Sequence, residues 1–311
     1  MRTKITLLVA AFIACLVIPL RVVAADVERP VVIGFSQDTM ANDWRLAQAE
    51  ALRKAFAPYP HIRFVVTDGH GDTARQIRDI EDLANMKVDI LIASPRDTVL
   101  MTPVLTDVYN SGIPVLLVTR KTQSDAYTSF IAPDDAAIAR DAARYLAQTL
   151  GGKGRILMLQ GVPTATTVIT RTRAFEEELR RFPGMKVVAT KVGNYLRSDA
   201  IRAVEEVVQK GVRFDAIYAQ SDSMAAGARI ALREAGIDPR SVPTVGIDYI
   251  AEARQAIRDG EQSASFVYPT CARETAAAAL AILNGKKVPR HIVVQSKLVT
   301  RDNVDRVAPI F

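Results

Sequence analysis

From Val31 onward the chain repeats one unit: a short β-branched or aliphatic run, then a longer stretch whose apolar residues recur at helical spacing. The strand-like runs are Val31–Phe35, Ile62–Thr67, Ile90–Ala93, Val115–Val118, Thr128–Ile131, Arg155–Gln160, Lys186–Val192, Ala216–Ala219, Val242–Gly246 and Ser263–Tyr268. Helical patterns fill nearly every gap. In the first gap, from about Trp44, Leu46, Ala49, Leu52, Ala55 and Phe56 form the stripe, with Asn42 or Asp43 as the expected cap. Strand then helix, repeated this often, predicts parallel sheets covered on both faces and joined by right-handed crossovers. In "NSGIPVLLV" and "LGGKGRILML" a glycine closes each helix and the next strand starts at once.

There are more strands than one doubly wound sheet carries, and 311 residues exceed what one core usually supports. The natural division falls between Ile131 and Arg155. The expected fold is therefore α/β, two Rossmann-like doubly wound lobes. No low-complexity linker separates them; "APDDAAIARDAAR" reads as a helix capped by Asp134 or Asp135. Lobes joined by short ordered crossings suit hinge closure around a ligand.

The N-terminus reads differently. Arg2 and Lys4 precede an apolar run from Ile5 to Leu20, and Val23-Ala24-Ala25 offers small residues for cleavage. Residues 1–25 are thus expected to be a cleaved secretory signal, which exports the working chain, Asp26 to Phe311. The apolar "LVIPL" after Cys15 argues against lipid attachment there. Without Arg2, Lys4 and Arg21 the formal charge falls from +6 to +3. That mild and interspersed charge gives no reason to expect nucleic acid as a partner. Cys271 is then the single remaining cysteine, so no internal disulfide forms.

A catalytic constellation is missing. His61, His70 and His291 fall singly, and His70 in "DGHGD" reads as an exposed turn residue. No G-x-G-x-x-G follows a strand, "GGKGR" lacks the spacing of a P-loop, and there is no G-x-S-x-G. A non-enzymatic binder without cofactor or metal is the expectation. The residues after successive strands fit it: Ser36-Gln37, Asp68-Gly69, Ser94-Pro95-Arg96-Asp97, Thr119-Arg120, Gly161, Asn194-Tyr195, Ser221-Asp222, Asp248 and Tyr268. Ligands of open α/β sheets lie at these carboxyl ends. Aromatic faces cover the C–H side of a sugar ring, and planar charged groups take hydroxyls in pairs. Trp44, the chain's single tryptophan, follows the first strand, either facing that crevice or folded onto its own helix.

With these positions laid out, "VVIGFSQ…NDWR", "DGHGDTARQIRDIEDL", "VDILIASPRDT", "GIPVLLVTR", "AQSDSMAAGARIALREAG" and "TVGIDYIAEARQAIRDGE" resemble, in order, blocks of the type I periplasmic substrate-binding proteins of sugar ABC transporters. The resemblance runs from about Val31 to Val299 and is greatest to the galactofuranose-binding branch, in "FSQ" followed by "WR". It implies ligand contacts at Asn42, Trp44, Arg45, Arg120, Arg171, Tyr195, Asp222 and Asp248, beside Ser36, Gln37, Arg96 and Tyr268 from the strand ends. It also implies a three-crossing hinge near Ala132–Asp135, Tyr268–Thr270 and Val294–Ser296. The lobes would then comprise residues 26–132 with 269–295, and 133–268 with 296–311.

The family usually carries an acid or amide before Arg120, Arg171 and Asp222, where this chain has Thr119, Thr170 and Ser221, and a glutamine where it has Tyr268. Arg45, Arg120 and Arg171 are accordingly expected to be less neutralised. That leaves two ligand classes: a sugar acid, or a neutral furanose if Asp222, Asp248 and Asp97 supply the charge from across the cleft. The resemblance implies a monomer that closes on a small carbohydrate and delivers it to an ABC permease in the inner membrane. The alternatives are a ligand-sensing partner of a sensor kinase or chemoreceptor, and an exported α/β enzyme.

Overall fold

The computed structural model describes residues 30–311; the expected signal, residues 1–25, lies outside the described residues. Two six-stranded sheets are formed. In chain order the first takes β1 (Val31–Gln37), β2 (Ile62–Asp68), β3 (Ile90–Ala93), β4 (Val115–Val118), β5 (Ser129–Ala132) and β11 (His291–Val293). The second takes β6 (Lys153–Gln160), β7 (Gly184–Val192), β8 (Ala216–Ala219), β9 (Thr244–Asp248), β10 (Ala264–Val267) and β12 (Lys297–Thr300). Their orders are β11-β5-β4-β3-β1-β2 and β12-β10-β9-β8-β6-β7, and every pairing is parallel except β10 with β12.

Period-2 alternation inside the apolar strands builds two cores per sheet. Ile33, Phe35, Ile90, Ile92, Leu116 and Val118 point to one face, against α1 (Asp43–Phe56) and α9 (Ala272–Leu283). Val32, Leu91, Ala93, Val115 and Leu117 point to the other, against α2 (Thr73–Asn85) and α3 (Thr102–Asn110). The second sheet repeats the plan. Ile156, Met158, Tyr218 and Val245 face α4 (Asp135–Thr149) and α5 (Thr166–Leu179), while Leu157, Leu159, Ile217 and Ala219 face α6 (Arg197–Gln209) and α7 (Asp222–Glu234). Burial on both faces explains why these strands read as unbroken apolar runs.

The two strands absent from the sequence reading are β11 and β12. Each is a short, half-exposed edge strand of three or four residues, too short a run for the sequence pattern to separate from loop. They are placed by pairing instead, Val293 beside Ala132 and Lys297 beside Val267. The chain passes from one sheet to the other after β5, after β10 and between β11 and β12. These passages are tied together: Val294 donates its N–H to Ala132 O at 3.0 Å, and Ser296 Oγ donates to Val267 O at 2.7 Å.

Candidate functional site

The carboxyl ends of the two sheets face each other, and the loops there are held in a costly backbone form. Thr119, Asn194, Tyr195, Asp248, Tyr249 and Cys271 all have positive φ without being glycine. Such conformations cost on the order of 1–3 kcal/mol each and persist only where the surroundings over-determine them, typically at ligand sites. Tyr195 shows how: its ring lies on Gly161, where a Cβ would fall 2.0 Å from the ring. Its hydroxyl meets Thr167 Oγ1 at 2.9 Å.

Between the lobes lies a cavity of about 20 Å³ walled by Asn42, Trp44, Arg45, Thr167, Arg171, Tyr195, Asp248 and Tyr268. Seven of these were expected from the sequence; Thr167, on the first turn of α5, was not. Asn42 caps α1 by accepting Arg45 N–H at 3.1 Å and reaches the other lobe through Nδ2, donating to Tyr195 O at 2.5 Å. Trp44 is only 4% exposed. Its Nε1 donates to Tyr268 O at 3.0 Å and its ring packs at 58° on that of Tyr268, 5.6 Å away. The tryptophan therefore both lines the cavity and anchors α1 to the passage after β10.

The arginines are each seated. Arg45 Nη1 donates to Gln48, Ser94 and Thr119, while its guanidinium lies 5.1 Å from the Trp44 ring. Burial, together with the nearby Arg120 charge, pulls its pKa down to about 10 against the opposing pull of Asp38. Arg120, 1% exposed, donates Nη1 to Asp38 Oδ2 at 2.7 Å and stands 5.5 Å from the Tyr195 ring. Arg171 donates Nε to Asp135 Oδ1 at 2.7 Å and Nη1 to Gln220 O at 2.8 Å, beneath the Tyr268 ring at 4.6 Å. Tyr268 Oη completes that corner by donating to Asp135 Oδ2 at 3.2 Å.

Two expectations are corrected here. Arg45, Arg120 and Arg171 do not lack carboxylates: Asp38 serves the first two and Asp135 the third. Burial would raise the Asp38 pKa, yet Arg120, Arg45 and Arg96 together hold it below the ordinary carboxylate value. Nor do Asp222 and Asp97 supply charge to these arginines. Asp222 is turned into its own lobe, where it accepts from Tyr249 N and Ser265 Oγ at 2.6 Å each and from Gln262 Nε2 at 2.7 Å. Asp97 accepts the N–H groups of Val99 and Leu100.

Other expected site residues lie beside the cavity, not in its wall. Ser36 is buried under it, and Gln37 braces the loop by donating to Arg45 O and Gln48 Oε1. Arg96 stands 3.7 Å from Asp38, and its carbonyl accepts Thr164 Oγ1 from the other lobe at 3.3 Å. His70 is an exposed turn residue, as the sequence indicated. Asp248 does line the cavity, and no ion pair within 4.0 Å reaches it among the described residues. Burial first, then the neighbouring Asp222 charge, raises its pKa well above the carboxylate range, against the pull of Arg171 and Arg45.

Besides Thr167, Asp38 and Asp135 are what the sequence reading missed. Asp38 directly follows "FSQ", so its position was a signal; Asp135 read as a helix cap, a role Asp134 performs by accepting Ala137 N–H at 2.9 Å. Among the described residues no group of three or more His, Cys, Asp or Glu is arranged to hold a metal ion. What the cavity offers is three aromatic faces, two guanidiniums, a carboxylate and hydroxyl and amide groups.

Residues 33–287 match the periplasmic binding protein domain family. The chain is 29% identical over 253 residues to the xylitol-binding protein of Mycolicibacterium smegmatis, covering 80% of this chain and 72% of that one. It is 27% identical over 244 residues to the galactofuranose-binding protein YtfQ of Escherichia coli, covering 76% of each. Among solved structures, the fructose-binding periplasmic domain of a hybrid two-component system superposes with a TM-score of 0.85 at 29% identity, over 88% of this chain and 92% of that one.

Proposed function

The chain belongs to the periplasmic binding protein domain family, and from that premise we propose that it is an exported, non-enzymatic receptor for a small neutral polyhydroxylated solute, a furanose sugar or an alditol. The observation that carries this is the cavity wall: Trp44, Tyr195 and Tyr268 supply ring faces while Arg45, Arg171, Asp248 and Asn42 supply hydrogen-bonding edges. The neutral class is preferred because Asp38 and Asp135 already occupy the arginines that an acidic ligand would need. Relatives named for xylitol and galactofuranose point the same way.

A cavity of about 20 Å³ holds roughly one water molecule. A sugar must therefore enter while the lobes, 26–132 plus 269–295 and 133–268 plus 296–311, stand apart, hinging near Ala132–Asp135, Tyr268–Thr270 and Val294–Ser296. The closed receptor, a monomer, then presents the solute to an ABC permease. A second reading is favoured by one finding, the likeness to a periplasmic domain of a two-component system: the closed form signals to a membrane sensor.

Calorimetry and thermal shift on residues 26–311, with D-ribose, D-fructose, D-galactose, xylitol and myo-inositol, test the reading. A true ligand at a hundred times its dissociation constant stabilises by about 2.7 kcal/mol. Indifference to all five, alongside stabilisation by a sugar acid, overturns the neutral assignment.

A further inference from the structure

Of the three arginines that lie against aromatic walls of the cleft, two share one carboxylate. Arg45 lies against Trp44 of its own lobe and Arg120 against Tyr195 of the other. Asp38 Oδ2 accepts from Arg120 at 2.7 Å and lies 3.7 Å from Arg96, while Oδ1 lies 3.5 Å from Arg45 Nε. Every ion pair that these three arginines make among the described residues goes to Asp38. Asp38 and Arg120 are each 1% exposed, so water screens their charges poorly. Around the cleft, Arg45, Arg96, Arg120 and Arg171 stand against Asp38 and Asp135, while burial and Asp222 disfavour the charged form of Asp248.

We propose that Asp38 is the residue that sets ligand charge at this site, deepening the receptor reading on which it rests. It does so in two ways. It holds the forks of Arg45 and Arg120 that would otherwise take a ligand carboxylate through paired hydrogen bonds. It also places a buried negative charge a few ångströms from where such a carboxylate would sit, and like charges at that range in a low-dielectric site repel strongly. Neutral hydroxyls meet neither obstacle. Removal of this one charge leaves two guanidiniums facing the aromatic walls without a counter-ion, and a sugar acid supplies it.

The test compares Asp38→Asn with the unaltered residues 26–311 by calorimetric titration of matched pairs: D-ribose with D-ribonate, D-galactose with D-galacturonate, and xylitol with D-xylonate. The unaltered protein is expected to prefer the neutral member, and Asp38→Asn to shift that preference toward the acid by roughly tenfold or more, the effect of one poorly screened charge. Arg120→Gln, which removes a positive charge instead, shifts it the opposite way and serves equally if Asp38→Asn does not fold. An unchanged neutral-to-acid ratio in both variants, or a loss of both members in parallel, overturns the proposal. If the unaltered protein binds the acid members alone, the receptor stands and the charge assignment falls. If it binds none of the six, the failure is that of the sugar-receptor reading beneath it.

Discussion

Trp44 carries two loads that one substitution separates. Its ring lines the cavity while its Nε1 holds the Tyr268 carbonyl, so Trp44→Phe removes the tie and keeps most of the surface. Trp44→Ala removes both, and ligand affinity is expected to fall by about 1–3 kcal/mol. An affinity unchanged in Trp44→Ala, beside a large drop in melting temperature, would instead make it a framework residue only. Its fluorescence, the chain's single tryptophan signal, reports the same event directly. At this scale the strand ends signalled Tyr195, Asp248 and Tyr268, and the family resemblance added Asn42, Trp44, Arg45 and Arg171; all of these line the cavity. It was uninformative about which carboxylate neutralises which arginine. Asp38 meets Arg120 across 82 residues and Asp135 meets Arg171 across 36, and no local pattern encodes such pairings. Asp222 misled because a carboxylate after a strand looks the same whether it faces a cleft or, as here, braces Tyr249 and Ser265 within its lobe.

Elements with apolar runs were legible almost to their ends, because burial on both faces of a parallel strand leaves little freedom in residue type. The edge strands β11 and β12 were not, since each is only three or four residues long with one or two residues turned to a core. The turn between β6 and α5 shows what an element boundary can contribute to a site. Gly161 ends that strand with the Tyr195 ring lying where a Cβ would be, so the missing side chain is what lets the ring cover the cavity. Gly161→Ala forces the ring away or the turn to shift, an overpacking cost of about 1–3 kcal/mol. Because Tyr195 also receives Asn42 Nδ2 and faces Arg120 from the other lobe, ligand affinity is expected to fall together with stability. A stability loss with affinity intact would separate the ring's packing from ligand binding.

Across the whole molecule, the lobes touch through contacts that bypass the cavity: Thr98 N–H to Thr164 O at 3.0 Å and Lys121 N–H to Thr166 Oγ1 at 3.1 Å, besides Asn42 to Tyr195. Ligand entry must break them, so saturating ligand is expected to reduce the radius of gyration in small-angle scattering, and an unchanged radius would count against hinge closure. The same buried charges set a pH dependence. Asp222 is pushed up to about 6, chiefly by burial, against hydrogen bonds from Ser265, Gln262 and Tyr249 N–H and the pull of Arg229. Asp248 is likewise raised, by burial and by Asp222. An acid whose folded pKa exceeds its unfolded value, 3.8 here, binds its proton more tightly when folded, so its contribution is lost as pH rises through the folded value. Asp38 acts oppositely: its pKa is lowered, and the stability it gives is lost only as pH falls below the ordinary carboxylate range. Between those limits the raised acids dominate. Denaturant-derived stability should therefore increase from pH 7.5 to pH 5 and turn down again below about pH 4. Asp222 alone contributes about 1.4 kcal/mol of that rise, because pH 5 lies one unit below its folded value and each tenfold gain in proton affinity on folding is worth about 1.36 kcal/mol. Asp222→Asn removes the titrating proton and should flatten the slope around pH 6, whatever it does to absolute stability. A stability that instead climbs from pH 5 to pH 7.5 would mean that Asp222 and Asp248 are ionised without strain in the folded protein.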